Sequence, residues 1–403
     1  MAGLEEEPQV TADGSTLILR PPQTAVQYGQ SCFRVRFMAN LLPPLAHKTR
    51  EAVLYRTLEG NRIECFACGH RCPIPAGFSG VCKVRSNVRG KLHAPWGYVN
   101  SACCDPIEKK PFFHALPGAR ALSFGMLGCD LHCGYCQNWV TSQAWRDVRS
   151  TLDFQGVTPR ELAAMAKRGG ASVVVSTYNE PLITAEWAVA VFREARAAGL
   201  TTGFVSNGNA TPEVLEYIRP WVDLYKVDLK SFDDRRYHEL GGRIQPILDS
   251  IARIHAMGFW LEVVTLVIPG FNDSDAELRG MAGFLADISP DIPWHVTAFH
   301  KDYKMTGPDN TPAGTLLRAA AAGRAGGLRY VYAGNLPGST GSLENTYCAS
   351  CRSLLVERFG FRVLRNRLRH GRCPDCDAAI PGVWTASPVG PREPADAIHI
   401  RCG

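Results

Sequence analysis

The chain has 403 residues, 45% of them hydrophobic, enough for one large buried core plus one or two small modules, which excludes a disordered chain. Its 44 Lys and Arg against 38 Asp and Glu give a formal charge of +6, spread along the length without a basic run and too mild to argue for nucleic acid. No span of about 18 apolar residues occurs, and the opening MAGLEEEPQVTADGS is acidic and polar, unlike a signal peptide, so the expectation is a cytoplasmic protein with no membrane association.

In chain order, residues 1–50 carry little periodicity and read as an N-terminal extension. Residues 51–117 are rich in Cys, Gly and Pro, as suits a small module organised around a metal. From 118 to 335 short apolar runs alternate with helix-period segments. The expected strands are 121–127, 172–177, 202–207, 224–229, 261–268, 294–299 and 329–333. Thr158, Thr184 and Thr211 are expected to cap the helices that follow them, and Gly199 and Gly258 to close two helices. Apolar strands separated by helices imply a parallel sheet in right-handed βα units. About six units fit a partial or full barrel, whose chemistry sits on the loops leaving the C-terminal strand ends. Residues 336–385 form a second Cys-rich module. The Pro-rich tail, 386–403, is expected to be loosely ordered.

Fifteen cysteines in a chain expected to stay in a reducing compartment point to metal rather than disulfides. Eleven fall into three groups, leaving Cys32, Cys103, Cys104 and Cys402 as small hydrophobes or bystanders. Cys129, Cys133 and Cys136 follow the first expected strand of the barrel. Three closely spaced thiols suit an iron–sulfur cluster with one iron left open; His132 is the alternative fourth ligand, in a crowded position. Cys65, Cys68, Cys72 and Cys82 suit either zinc or an auxiliary iron–sulfur cluster, which spacing alone does not separate, with His70 beside the ligands. Cys348, Cys351, Cys373 and Cys376 form two knuckles of a structural zinc site, similar to a zinc ribbon or rubredoxin-like pair.

C-x3-C-x2-C with Tyr135 before the last cysteine, after the first strand of a βα barrel, resembles the radical S-adenosylmethionine (SAM) superfamily. The resemblance implies a 4Fe-4S cluster whose open iron chelates SAM, reductive cleavage to a 5′-deoxyadenosyl radical, and the (βα)6 partial TIM barrel. STYNEP (176–181) resembles the segment at the SAM amino group, so Asn179, Glu180 and Pro181 would border it. VSNGN (205–209) resembles the ribose segment, through Ser206 and Asn207. VDLK (227–230) resembles the Asp-x-Lys motif of glycyl-radical activating enzymes, which places Asp228 and Lys230 near SAM. For Glu180 the structural reading is a helix cap, and for Asp228 with Lys230 an ordinary ion pair.

Over residues 60–385, CFACGHRCPIPAGFSGVCKVRSN, DPIEKKPFFHALPG, GCDLHCGYCQNW, STYNEP, PWHVTAFHKDYKM, YVYAGNLPG and the final IPGVW resemble the radical SAM member of the AmmeMemoRadiSam system, related to pyruvate formate-lyase activating enzymes. Asp130 stands where relatives commonly carry asparagine. The resemblance implies Memo-like and AMMECR-like partners and a low-potential electron donor, flavodoxin or ferredoxin, and leaves the substrate open. Lys109, Lys110, His114, His295, His300, Asp302 and Tyr303 are its shared polar residues, candidates for the substrate site, with a structural role the plainer reading of each. Hydrogen abstraction from a protein is the leading expectation, by an oxidoreductase of the radical-activating kind. An RNA- or small-molecule-modifying enzyme and a non-catalytic zinc-binding module are the alternatives.

Overall fold

The structure, a computed structural model, describes residues 45–150 and 153–384, and the backbone of 398–400. Cys32, Cys402, most of the expected extension and the Pro-rich stretch of the tail lie outside these residues. Seven parallel strands run in chain order across one sheet: β2 (Arg120–Gly125), β3 (Val173–Ser176), β4 (Thr201–Ser206), β5 (Leu224–Asp228), β6 (Trp260–Val267), β7 (Trp294–Ala298) and β8 (Val331–Gly334). Each matches an expected run within two residues. Six helical crossovers join them, so the barrel is a (βα)6 unit with a seventh strand, open between its edges. One antiparallel strand, β1 (Ser101–Pro106), extends the sheet beyond β2, and Ile398–Ile400 pairs outside it.

Local sequence explains the crossovers. Thr158 and Glu161 close a reciprocal capping box on α1 (Pro159–Arg168), and Thr211 caps α3 (Pro212–Ile218). The expectation for Thr184 is not met: it makes no side-chain cap at α2 (Ala185–Ala197), and its hydroxyl turns back to the Pro181 carbonyl. The helical turn starts earlier, at Pro181, where the Glu180 carboxylate accepts from Leu182 N–H. Gly199 and Gly258 close their helices in the left-handed region.

The N-terminal module is built from two small three-stranded sheets, and its first strand, Thr49–Glu51, begins inside the stretch assigned to the extension. Cys103 and Cys104 lie buried on β1. The C-terminal module is a hairpin, β9 (Leu354–Phe359) and β10 (Arg362–Asn366), between the two knuckles. Its four thiols lie within 4.8 Å of one another, with Cys348–Cys376 and Cys351–Cys373 Sγ pairs at 3.6 Å. Four sulfurs on zinc at ~2.3 Å are ~3.8 Å apart, so the site is already of zinc size.

A buried relay ties this module to the barrel. Arg358 donates to Thr346 Oγ1 (2.8 Å), Thr346 lies 2.9 Å from Tyr332 Oη, and Tyr332 lies 2.6 Å from His114 Nε2. His114 Nδ1 sits 2.7 Å from the Pro381 carbonyl, which can only accept, so Nδ1 carries a proton. Burial pushes its pKa from 6.5 down to about 4. Above 6.5 its contribution to stability is complete. As pH falls towards 4 the unfolded chain takes up a proton that the folded chain does not, and stability drops by about 1.4 kcal/mol per pH unit, roughly 3 kcal/mol in all. Urea midpoints at pH 7.5 and 5.0, with zinc retention checked at both, should fall less in His114→Gln than in the wild type; equal slopes would contradict this account.

Candidate active site

The loop after β2 carries Cys129, Cys133 and Cys136. It begins at Gly128, held at φ +94°, where a Cβ would stand 2.7 Å from Val84 and 3.2 Å from the Cys82 carbonyl, so only glycine lets the loop lie against the N-terminal module. Gln143 and Arg146 donate to the Leu131 carbonyl, and His132 N–H donates to the Leu240 carbonyl. The His132 ring is exposed and packs on Gly241. Tyr135 is buried edge-on against Phe271. Burial, with like charge from Asp130 and Glu180 nearby, pushes the Cys129 thiol well up; burial does the same to Cys133, to about 11, against the pull of Lys230.

All three cysteines open onto one cavity of ≈ 420 Å³, together with Tyr135, Asn179, Glu180, Ser206, Asn207, Asp228 and Lys230. This brings the expected SAM-site residues onto one face, at the C-terminal ends of β2 to β5. They are tightly interlocked. Glu180 accepts from Leu182 N–H (3.0 Å), Ser206 Oγ (2.7 Å) and Asn207 N–H (2.7 Å). Burial and the neighbouring Asp130 push its pKa up to about 8 against those three donors. Asn179 accepts from Met126 N–H, and Asn207 donates to Asp130 Oδ1 at 2.7 Å. Asp228 bridges Lys226 and Lys230, so the ion-pair reading of that residue is visible in the geometry. Burial raises the Asp228 carboxyl, but the two ammonium groups outweigh it and hold its pKa below the ordinary value.

Of the shared polar residues, Lys109 and Lys110 line the cavity, both paired with Asp105; Lys110 also reaches Tyr178 Oη at 3.3 Å. His114 and His295 do not line it. His295 is bonded to Glu262 at 2.7 Å, and both are satisfied core groups. His300, Asp302 and Tyr303 form a strap beside the thiol loop. His300 meets Gln137, Tyr303 stacks on Trp139 and donates to Asp147, and Lys304 N–H donates to the Gly134 carbonyl. Lys226 and Asp130 were missed as site residues. Lys226 was legible, because positions 226 and 228 of a strand face the same side. The partners of Asp130 come from a distant loop, Asn207 and Asn209, and no local signal reveals them.

Three sulfurs on one loop, rimmed by carboxylate, amide, hydroxyl and ammonium groups from successive strand ends, suit a cluster that shares its remaining coordination with a polar small molecule. The sequence pattern of the Radical SAM superfamily matches residues 125–281, which hold all three thiols and this rim.

The chain belongs to the radical SAM superfamily.

It is 34% identical over 335 residues to the uncharacterized protein MJ0808 of Methanocaldococcus jannaschii, covering 82% of this chain and 98% of that one. It is 28% identical over 204 residues to the benzylsuccinate synthase activating enzyme of Thauera aromatica, covering 46% of this chain and 60% of that enzyme. Among solved structures, a radical SAM methyltransferase from Sphaerobacter thermophilus aligns with a TM-score of 0.43 at 17% identity, over 59% of this chain and 71% of that one. The match spans between 35% and 60% of the length of the lyase and synthase activating enzymes it resembles, and 83% of the pyruvate formate-lyase-activating enzyme of Clostridium pasteurianum. As a radical SAM enzyme it uses a 4Fe-4S cluster and SAM, and its Cys348 group adds a site for zinc or an auxiliary cluster. No helix among the described residues is long and apolar enough to cross a membrane.

Proposed function

We propose that this radical SAM enzyme abstracts hydrogen from a protein, as an oxidoreductase of the radical-activating kind. The observation that carries the reading is the shared cavity: three thiols on one side and the polar ends of successive strands on the other. Its ≈ 420 Å³ falls in the range of small-molecule sites, and its donors suit the amino, carboxylate and ribose groups of SAM. Cys129, Cys133 and Cys136 would hold the cluster. Asn179 and Glu180 would border the amino group, Ser206 and Asn207 the ribose, with Tyr135, Asp228 and Lys230 alongside. Bound there, the reduced cluster and SAM supply a 5′-deoxyadenosyl radical. The protein's share is orientation and exclusion of water, to which the 300–304 strap contributes beside the thiol loop.

Glu180 acts by holding two strand-end loops in register. Glu180→Ala leaves three buried donors without their acceptor, at about 1–3 kcal/mol each, and should weaken SAM binding by about tenfold or more in calorimetric titration. Unchanged affinity in a folded variant would exclude this role.

The likeness to activating enzymes supports a protein substrate. Segments 293–305 and 330–338 and the knuckle module support the AmmeMemoRadiSam branch, with Memo-like and AMMECR-like proteins as partners and flavodoxin or ferredoxin as donor. Deuterated Memo-like and AMMECR-like proteins, incubated anaerobically with enzyme, SAM and reductant, should pass deuterium into 5′-deoxyadenosine, read by mass spectrometry. Formation of unlabelled 5′-deoxyadenosine with both would contradict a substrate among these proteins.

A further inference from the structure

We infer that Cys65, Cys68, Cys72 and Cys82 hold a second iron–sulfur cluster, and that it passes electrons to the SAM cluster. The inference rests on the radical SAM reading for the electron's destination, and on its own geometry for the site. The structure contains two reference sites. The Cys348 group is drawn in to zinc size, all four thiols within 4.8 Å, and among the described residues it is the one group of three or more potential ligands that meets this limit. The SAM-cluster thiols do not meet it, as expected for sulfurs spread around a multi-iron core, and neither do those at 65–82. Like the cluster loop, and unlike the knuckles, the second group holds no three thiols within 4.8 Å of one another.

Its surroundings suit a cluster. Cys65, Cys68 and Cys82 are buried, Cys72 is half-buried, and none is in a disulfide. Val81 N–H points at Cys72 Sγ at 3.5 Å. Such N–H to sulfur bonds spread the charge of bound thiolates. Arg85, three residues after Cys82, is fully buried and held by two 2.7 Å bonds to Glu186, which fixes the end of this cysteine segment.

The two cysteine groups meet along a short seam. Gly69, next to Cys68, donates its N–H to the Asn209 carbonyl at 2.8 Å, and a Cβ there would lie 2.2 Å from Asn209 Oδ1. Asn209 Nδ2 donates to Asp130 Oδ2 at 2.8 Å, and Asp130 adjoins Cys129. A second contact seats Gly128 on Val84 and the Cys82 carbonyl. A one-electron donor of the flavodoxin or ferredoxin class would reduce the Cys65 cluster by one electron, which then moves to the Cys129 cluster; no bond breaks and no proton moves in either transfer.

The full chain, reconstituted anaerobically with iron, sulfide and zinc all present, should carry about eight iron and eight sulfide with about one zinc. About four iron and two zinc would overturn the second cluster. Cys68→Ser should lose half the iron and keep the Mössbauer signature of the SAM cluster. Cys129→Ala should keep the other half, so failure of the radical SAM reading and failure of this one give different patterns. Should Cys68→Ser precipitate, the wild-type stoichiometry decides the site. For the relay, flavodoxin should reduce the SAM cluster of Cys68→Ser at least tenfold more slowly than that of the wild type, followed by electron paramagnetic resonance; equal rates would overturn it.

Discussion

Cys129→Ala should bring 5′-deoxyadenosine formation by anaerobically reconstituted protein with dithionite down to the uncatalysed background. Among the described residues, three thiols face the cavity from the loop after β2 and no other cysteine lines it. His132, the alternative fourth ligand in the thiol loop, is exposed, packs on Gly241 and does not line the cavity, so it cannot replace a lost sulfur without rebuilding the loop. Cys351→Ser, in the knuckle, should leave the activity of folded protein largely intact. Activity retained in Cys129→Ala, measured by chromatography, would remove the basis of the proposed reaction.

Glu262→Ala should cost about 3–5 kcal/mol of stability, among the largest effects of any single change outside the thiols. The carboxylate is fully buried and accepts from Phe113 N–H and His114 N–H (2.9 Å each), Trp260 Nε1 (3.0 Å) and His295 Nε2 (2.7 Å). Each donor left unpaired loses its bond without regaining water. Through Phe113 and His114 the group also fixes the segment against which the knuckle module docks. Glu262→Gln keeps an acceptor and should lose less. Both are read by urea unfolding at pH 7.5, and an alanine variant within 1 kcal/mol of the wild type would contradict this account.

The barrel was legible because its strands are largely apolar runs and two of its helices begin at Thr-Pro pairs. The strand Ser101–Pro106 was not, since SACCDP mixes polar, small and proline residues and takes its place only by pairing with β2. Thr184 misled because the Glu180–Pro181 turn had already begun the helical segment. The thiol loop was readable from its motif spacing, and the rim residues other than Lys226 from the resemblance of three strand-end segments. What that spacing did not reveal is that Glu180 accepts from Asn207 N–H, Asn179 from Met126 N–H, and that the Asn207 side chain donates to Asp130, because these partners come from different strand ends. His295 shows the reverse: a polar residue in a shared segment whose partner, Glu262, two positions before the cavity-lining Val264, makes it part of the core.

The central claim is a three-thiol cluster that completes its coordination with SAM. Mössbauer spectra of the anaerobic full chain, with and without SAM, test it most directly. The account predicts that one iron of the cluster at Cys129, Cys133 and Cys136 changes its isomer shift when SAM is added. Spectra that are identical with and without SAM, or protein that takes up zinc and no sulfide at these thiols, would contradict it.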